Sequence, residues 1–120
     1  MPFRSDALAQ EKIEKIDLTR AKIDSGLGGI LNAYRAHVGH FPTEEEGGLK
    51  ALVQKPDNEK AAKKWGGPYI EKLTDLQDSW QHELIYRGPG QYNEKGYDLS
   101  SPGPDGREGT EDDINNWERY

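Results

Sequence analysis

Residues 7–38 contain no proline and carry Ile13, Ile16, Ile23, Leu27, Ile30, Leu31, Tyr34 and Val38 at helical spacing. That pattern predicts one long helix, and the rest of a small chain must organise around it. The half up to Lys22 is mostly charged around a few isoleucines and is expected to project beyond the core, while the second half carries the wider apolar stripe. Gly26, Gly28 and Gly29 each weaken a helix by roughly 0.5 to 1 kcal/mol relative to alanine, so the segment should either pack closely there or bend. Close packing is the expectation.

Beyond the helix the pattern shortens. Phe41-Pro42 ends it, and Thr43 with Glu46 forms a capping box for a short second helix carrying Leu49, Ala51, Leu52 and Val53. Residues 55–64 read as a polar loop, leading to the turn and extended piece Trp65-Gly66-Gly67-Pro68-Tyr69-Ile70. Strands are predicted over 83–87, centred on Leu84, Ile85 and Tyr86, and over 96–100, alternating through Tyr97 and Leu99, with Gly88-Pro89-Gly90 turning between them. After Leu99 a turn-rich stretch runs to Asp113, and Ile114 and Trp117 restore apolar anchors.

The chain has 120 residues, enough for one core but not for a deep cleft between two lobes. With 32% hydrophobic residues, that core is thin. Sixteen basic against 22 acidic residues leave a net charge of -6 without a basic stripe, which argues against nucleic acid and anionic membrane surfaces as partners. The absence of cysteine excludes disulfides, thiolate metal sites and cysteine nucleophiles. No apolar run approaches the roughly 18 residues of a membrane span.

The carboxylates of Asp105, Asp112 and Asp113 share one loop with Gly103, Gly106 and Gly109, which can take the positive φ angles that turn carbonyl oxygens inward. Crowded carboxylates repel by on the order of 1 to 4 kcal/mol per close pair at effective dielectrics of about 80 to 20, and a calcium ion would relieve that. A solvated acidic turn, with Asp112-Asp113 as a cap, accounts for the same residues. Both readings stand on composition alone. The loop is no EF-hand: counting Asp105 as position 1 puts Arg107 and Gly109 at positions 3 and 5, so backbone oxygens, for instance of Pro102 and Arg107, would have to complete the shell.

Other candidates have simpler explanations. His37 and His40 at a helix end could share a metal, but the helix dipole accounts for them. Glu44, Glu45 and Glu46 suit the first turn of a helix better than general-acid chemistry. Trp65, Trp80 and Trp117 could line a sugar site, yet so small a core needs them. No phosphate loop, Ser-His-Asp order or HExxH segment is present, so no catalytic residues are assigned and an enzyme is not expected.

Several segments together resemble the major pseudopilins of type II secretion systems, general secretion pathway protein G. They are Tyr34-Arg35 with Gly39-His40-Phe41-Pro42-Thr43, then Gly48-Leu49-Lys50-Ala51-Leu52, and Trp65-Gly66-Gly67-Pro68-Tyr69-Ile70 with Lys72-Leu73. Most specific are Asp98-Leu99-Ser100-Ser101-Pro102-Gly103-Pro104-Asp105-Gly106, Gly109-Thr110-Glu111-Asp112-Asp113-Ile114 and Asn116-Trp117. The resemblance implies an α+β fold of the type IV pilin kind: a long N-terminal α-helix packed on a small antiparallel β-sheet, with a C-terminal calcium-binding loop. It implies one domain over 1–120, with the long helix to residue 38, a helix-loop region over 39–82, and strands and calcium loop over 83–120.

Carried over by position, the Ca2+ ligands would be the side chains of Asp105, Asp112 and Asp113 and the carbonyls of Pro102 and Arg107. The implied role is a structural subunit of the secretion pseudopilus, assembling with copies of itself, other pseudopilins and the inner-membrane secretion machinery. Its domain would face the periplasm, at the cell inner membrane. Two positions depart from the family pattern: the stretch 42–49 is one residue longer, and Gln81 follows Trp80 where glycine is usual. The family's apolar membrane segment and prepilin cleavage signal are missing from these residues, so the expectation is the soluble domain of a longer protein. A minor pseudopilin or type IV pilin, and a calcium-dependent glycan-binding module using Trp65 or Trp80, are the competing readings; pilins commonly need a disulfide that this chain cannot make.

Overall fold

The computed structural model describes residues 2–110 and 113–118, with side chains from Gln10 onward. The long helix is present as α1 (Pro2–Ala21), a π-helical segment Lys22–Gly26 and α2 (Leu27–Val38), in unbroken succession. At the wide turn the Leu27 amide reaches back to Lys22 O. Ser25 donates its hydroxyl to Ala21 O at 3.2 Å, competing for a carbonyl that would otherwise serve the regular ladder. Of the three glycines, Gly28 is buried, but a Cβ there would make only an ordinary contact, 3.6 Å from the Tyr97 hydroxyl, so the expected close packing does not require a glycine at that position. Gly29 has open space around it, and Gly26 belongs to the widened turn. Gly39, at φ 104, ends the helix by donating its amide to Arg35 O.

Ile23, Leu27, Leu31, Tyr34 and Val38 fall on one stripe and are buried. They face Leu49, Leu52, Leu76, Leu84, Leu99 and Ile114, and each such side chain contributes about 1.5 to 3 kcal/mol through burial. Trp65 and Trp80 are partly buried and pack against this cluster, and Trp65 Nε1 donates to Ala51 O at 2.6 Å.

The capping box of Thr43 and Glu46 forms, with the Glu46 amide 3.3 Å from Thr43 Oγ1. No α-helix follows it. Gly47 and Gly48 adopt φ 103 and 60, outside helical space, and the chain resumes as a 3-10 turn, Gly48–Leu52. The predicted loop over 55–64 instead contains a helix, α3 (Glu59–Lys64). Asn58 caps it by accepting from the Ala61 amide, and Lys63 and Lys64 lie at its C-terminal end, where the helix dipole favours cations. Only Ala61 of this helix is buried, so it has no apolar stripe to betray it.

The sheet comprises β1 (Ile85–Arg87), β2 (Asp98–Ser101) and β3 (Ile114–Asn115), antiparallel in that order. Tyr86 pairs with Leu99, and Ser101 with Ile114. The first two strands are shorter or shifted relative to the sequence expectation, and β3 was anticipated only as an apolar anchor. All four residues of β2 are buried because it is the central strand.

Candidate functional site

The loop between β2 and β3 starts from a fixed point. Asp78 is buried; its Oδ1 accepts the Trp80 and His82 amides, and its Oδ2 accepts the Ser101 hydroxyl at 2.6 Å. Ser101 Oγ in turn accepts the Gly103 amide at 3.0 Å. Pro102 is thereby held buried at the loop's entrance, while the turn closes with the Gly106 amide on Gly103 O. Gly103, Gly106 and Gly109 take φ 74, 70 and 86, the left-handed values their spacing implied.

Beyond that turn the oxygens gather around one side chain not singled out in the sequence, Thr110. Its Oγ1 lies 2.8 Å from Asp105 Oδ2, 3.3 Å from Arg107 O and 3.4 Å from Asp113 Oδ1. A hydroxyl carries one proton and cannot serve three acceptors at once, and Asp113 Oδ1 also accepts the Thr110 amide at 3.4 Å. Asp105 also accepts the Arg107 amide at 2.9 Å, and Asp113 the Gly109 amide at 2.7 Å. These bonds, the Arg107 amide first and the Thr110 hydroxyl next, hold the Asp105 carboxyl below its ordinary range. Three of the five residues expected to ligate calcium therefore bring oxygens to one point; Pro102 sits at the loop's base, and Asp112 lies outside the described residues. Among the described residues no three His, Asp or Glu side chains group closely enough to hold a metal. The cluster combines two carboxylates with a carbonyl and a hydroxyl, a hard oxygen set that fits calcium.

The other candidates are engaged elsewhere. His37 Nδ1 lies 2.7 Å from the Tyr69 hydroxyl, and His40 Nε2 lies 2.6 Å from Glu46 Oε2, so the two imidazoles are bound to different partners. Glu44 and Glu45 are exposed, whereas Glu46 is buried and also accepts the Tyr34 hydroxyl at 2.6 Å. Burial alone would raise the Glu46 pKa, but hydrogen bonds from Tyr34 and His40 outweigh it and hold the group below its ordinary range. The Tyr34 hydroxyl is pushed far up by the same burial and bond.

The family described as type II secretion system (T2SS), protein G matches residues 7–117. The chain belongs to that family. Type II secretion system core protein G of Escherichia coli (strain K12) is 38% identical over 106 residues, spanning 87% of this chain and 70% of its own length. Its counterpart in Pectobacterium carotovorum subsp. carotovorum is 39% identical over 106 residues, 87% of this chain and 65% of its own. The major pseudopilin from the type 2 secretion system of enterohaemorrhagic Escherichia coli, a crystal structure, superposes with a TM-score of 0.71 at 34% identity, covering 92% of each chain. The chain has the pseudopilin architecture, a long N-terminal helix on a small antiparallel sheet, and is a structural subunit of the pseudopilus. Its family is associated with the cell envelope. Among the described residues no helix is long and apolar enough to cross a membrane.

Proposed function

We propose that this pseudopilin domain faces the periplasm at the inner membrane and assembles with copies of itself and with other pseudopilins, without catalysing a reaction, while Ca2+ holds its C-terminal loop in shape. The calcium reading is carried by the convergence of Asp105, Arg107 O and Asp113 on the Thr110 hydroxyl. Asp112 and the carbonyl of Pro102 are proposed to complete the shell. The ion would supply positive charge that lets adjacent carboxylates stay close, and the protein's part is to aim the oxygens.

Calorimetric titration with calcium, paired with thermal unfolding in calcium and in chelator, tests this. Binding heat and a higher melting temperature with calcium are expected, because a ligand stabilises the state that binds it. No heat and coincident melting curves would sink the site.

For assembly, the supporting observation is the projecting helix, where Ile13 and Leu18 are 52% and 66% exposed. Changing both to aspartate is expected to abolish filament formation and secretion in a secreting cell without unfolding the domain; normal secretion would count against these two side chains as assembly contacts.

A further inference from the structure

Four residues past Asp113, Trp117 stacks on Tyr92, with ring centroids 4.4 Å apart and planes inclined by 12°. Tyr92 is 59% exposed, so little else holds it by burial. What fixes its backbone is Asp98, buried on β2, whose carboxylate accepts the amides of Gln91 at 2.7 Å, Tyr92 at 3.0 Å and Asn93 at 2.9 Å. On the other side, Asn115 Oδ1 accepts the amides of Trp117 and Glu118, and Asn116 binds both Tyr97 O and the Leu99 amide. The short strand β3 follows Asp113 directly, so the chain that leaves the acidic loop is clamped between β2 and an aromatic pair. A cavity of about 130 Å³ lies inside this clamp, lined among others by Tyr92, Asp98, Gly109, Asp113 and Trp117.

We propose that the Tyr92–Trp117 stack positions Asp113 for calcium: it anchors the exit of the loop to the 91–93 turn and so raises the population of the ion-ready arrangement. The inference rests on the calcium reading above. A positioning contact changes affinity only by the preference it imposes on the loop, which limits the effect to what one aromatic pair can supply. Tyr92 contributes through its ring and needs no contact with the ion.

The test is calcium calorimetry on the wild type, Tyr92→Phe, Tyr92→Ala and Tyr92→Leu, each checked for its fold by circular dichroism. Because Tyr92 is largely exposed, all three variants are expected to fold; Tyr92→Leu keeps apolar cover on Trp117 while removing the ring. Tyr92→Phe should bind as the wild type does, and the other two roughly 3- to 10-fold more weakly. The gap in melting temperature between calcium and chelator should shrink in the same two. Unchanged affinity in both would overturn the positioning role even if both melt lower, because lower melting alone marks a purely structural contact. A wild-type chain that binds no calcium would overturn the calcium reading and this inference together, whereas equal binding by all four chains overturns the inference alone.

Discussion

Gln81 stands at φ 65, the one non-glycine residue with positive φ among those described. Its amide donates to Asp78 O in the tight turn that also carries the Trp80 and His82 amides onto the Asp78 carboxylate. An L side chain in this region costs roughly 1 to 2 kcal/mol, and the Gln81 side chain is exposed, so nothing it buries offsets that cost. Gln81→Gly, the residue usual in the family that the sequence resembles, is expected to raise stability by about 1 kcal/mol, less the extra entropy glycine brings to the unfolded chain; a melting temperature a few degrees higher would show it. Glu46 makes the opposite case. Replacing it with alanine leaves the buried Tyr34 hydroxyl without its acceptor and should cost about 2 to 3 kcal/mol in denaturant unfolding. Its depressed pKa has a definite sign: the stabilisation is present above the ordinary glutamate pKa, about 4.3, and is lost as pH falls through the lower folded value. Glu46→Gln should therefore flatten the acid limb of stability against pH, and an unchanged limb would remove Glu46 from the account.

At the scale of elements, the short strands owe their order to side chains outside the ladder. The 88–97 connection between β1 and β2 is drawn in by Asp98, and a Cβ on Gly90 would collide with that carboxylate. Asp98→Ala leaves three amides without their acceptor and is expected to cost about 2 to 4 kcal/mol, with faster hydrogen exchange concentrated at residues 91–93. Exchange that stays slow there would show that the loop holds without the carboxylate. The segment 77–79 is tied to the long helix in a similar way, by Lys22 Nζ on Gln77 O at 2.7 Å and by Thr19 and Ser79, whose hydroxyls lie 2.8 Å apart. These bonds begin on the widened turn and the last turns of α1, so the helix irregularity sits where the loops attach.

For the whole molecule, a thin core and a net charge of -6 make stability sensitive to any ion that binds only the folded state. If affinity falls in the range common to extracellular calcium modules, about 10⁻⁴ to 10⁻³ M, then 5 mM calcium should add roughly 1 to 2 kcal/mol and raise melting by a few degrees. Sodium chloride at matched ionic strength should not reproduce the rise. If it does, general screening of the acidic surface explains the effect and a specific site does not.

What the sequence by itself determined was whatever depends on periodicity or on a single residue's backbone preference. The long helix followed from its apolar spacing, the end at Gly39 and the positive φ of Gly103, Gly106 and Gly109 from the missing Cβ, and the capping box from Thr43 and Glu46. The acidic loop was legible as a cluster, because Asp105 and Asp113 lie close in the chain. Tertiary structure alone decided the rest. The helix α3 has a cap but no apolar face, and β3 is two residues long, so neither carries a period to read. Glu46 looked like a surface cap until Tyr34 and His40 closed over it. Thr110 became the centre of the loop, and Tyr92 the neighbour of Trp117, only once the chain had folded back on itself. The Thr110 cluster is local in sequence but depends on the backbone angles of its turns, and the Tyr92–Trp117 pair joins residues far apart in the chain; neither is recorded by a hydrophobic period.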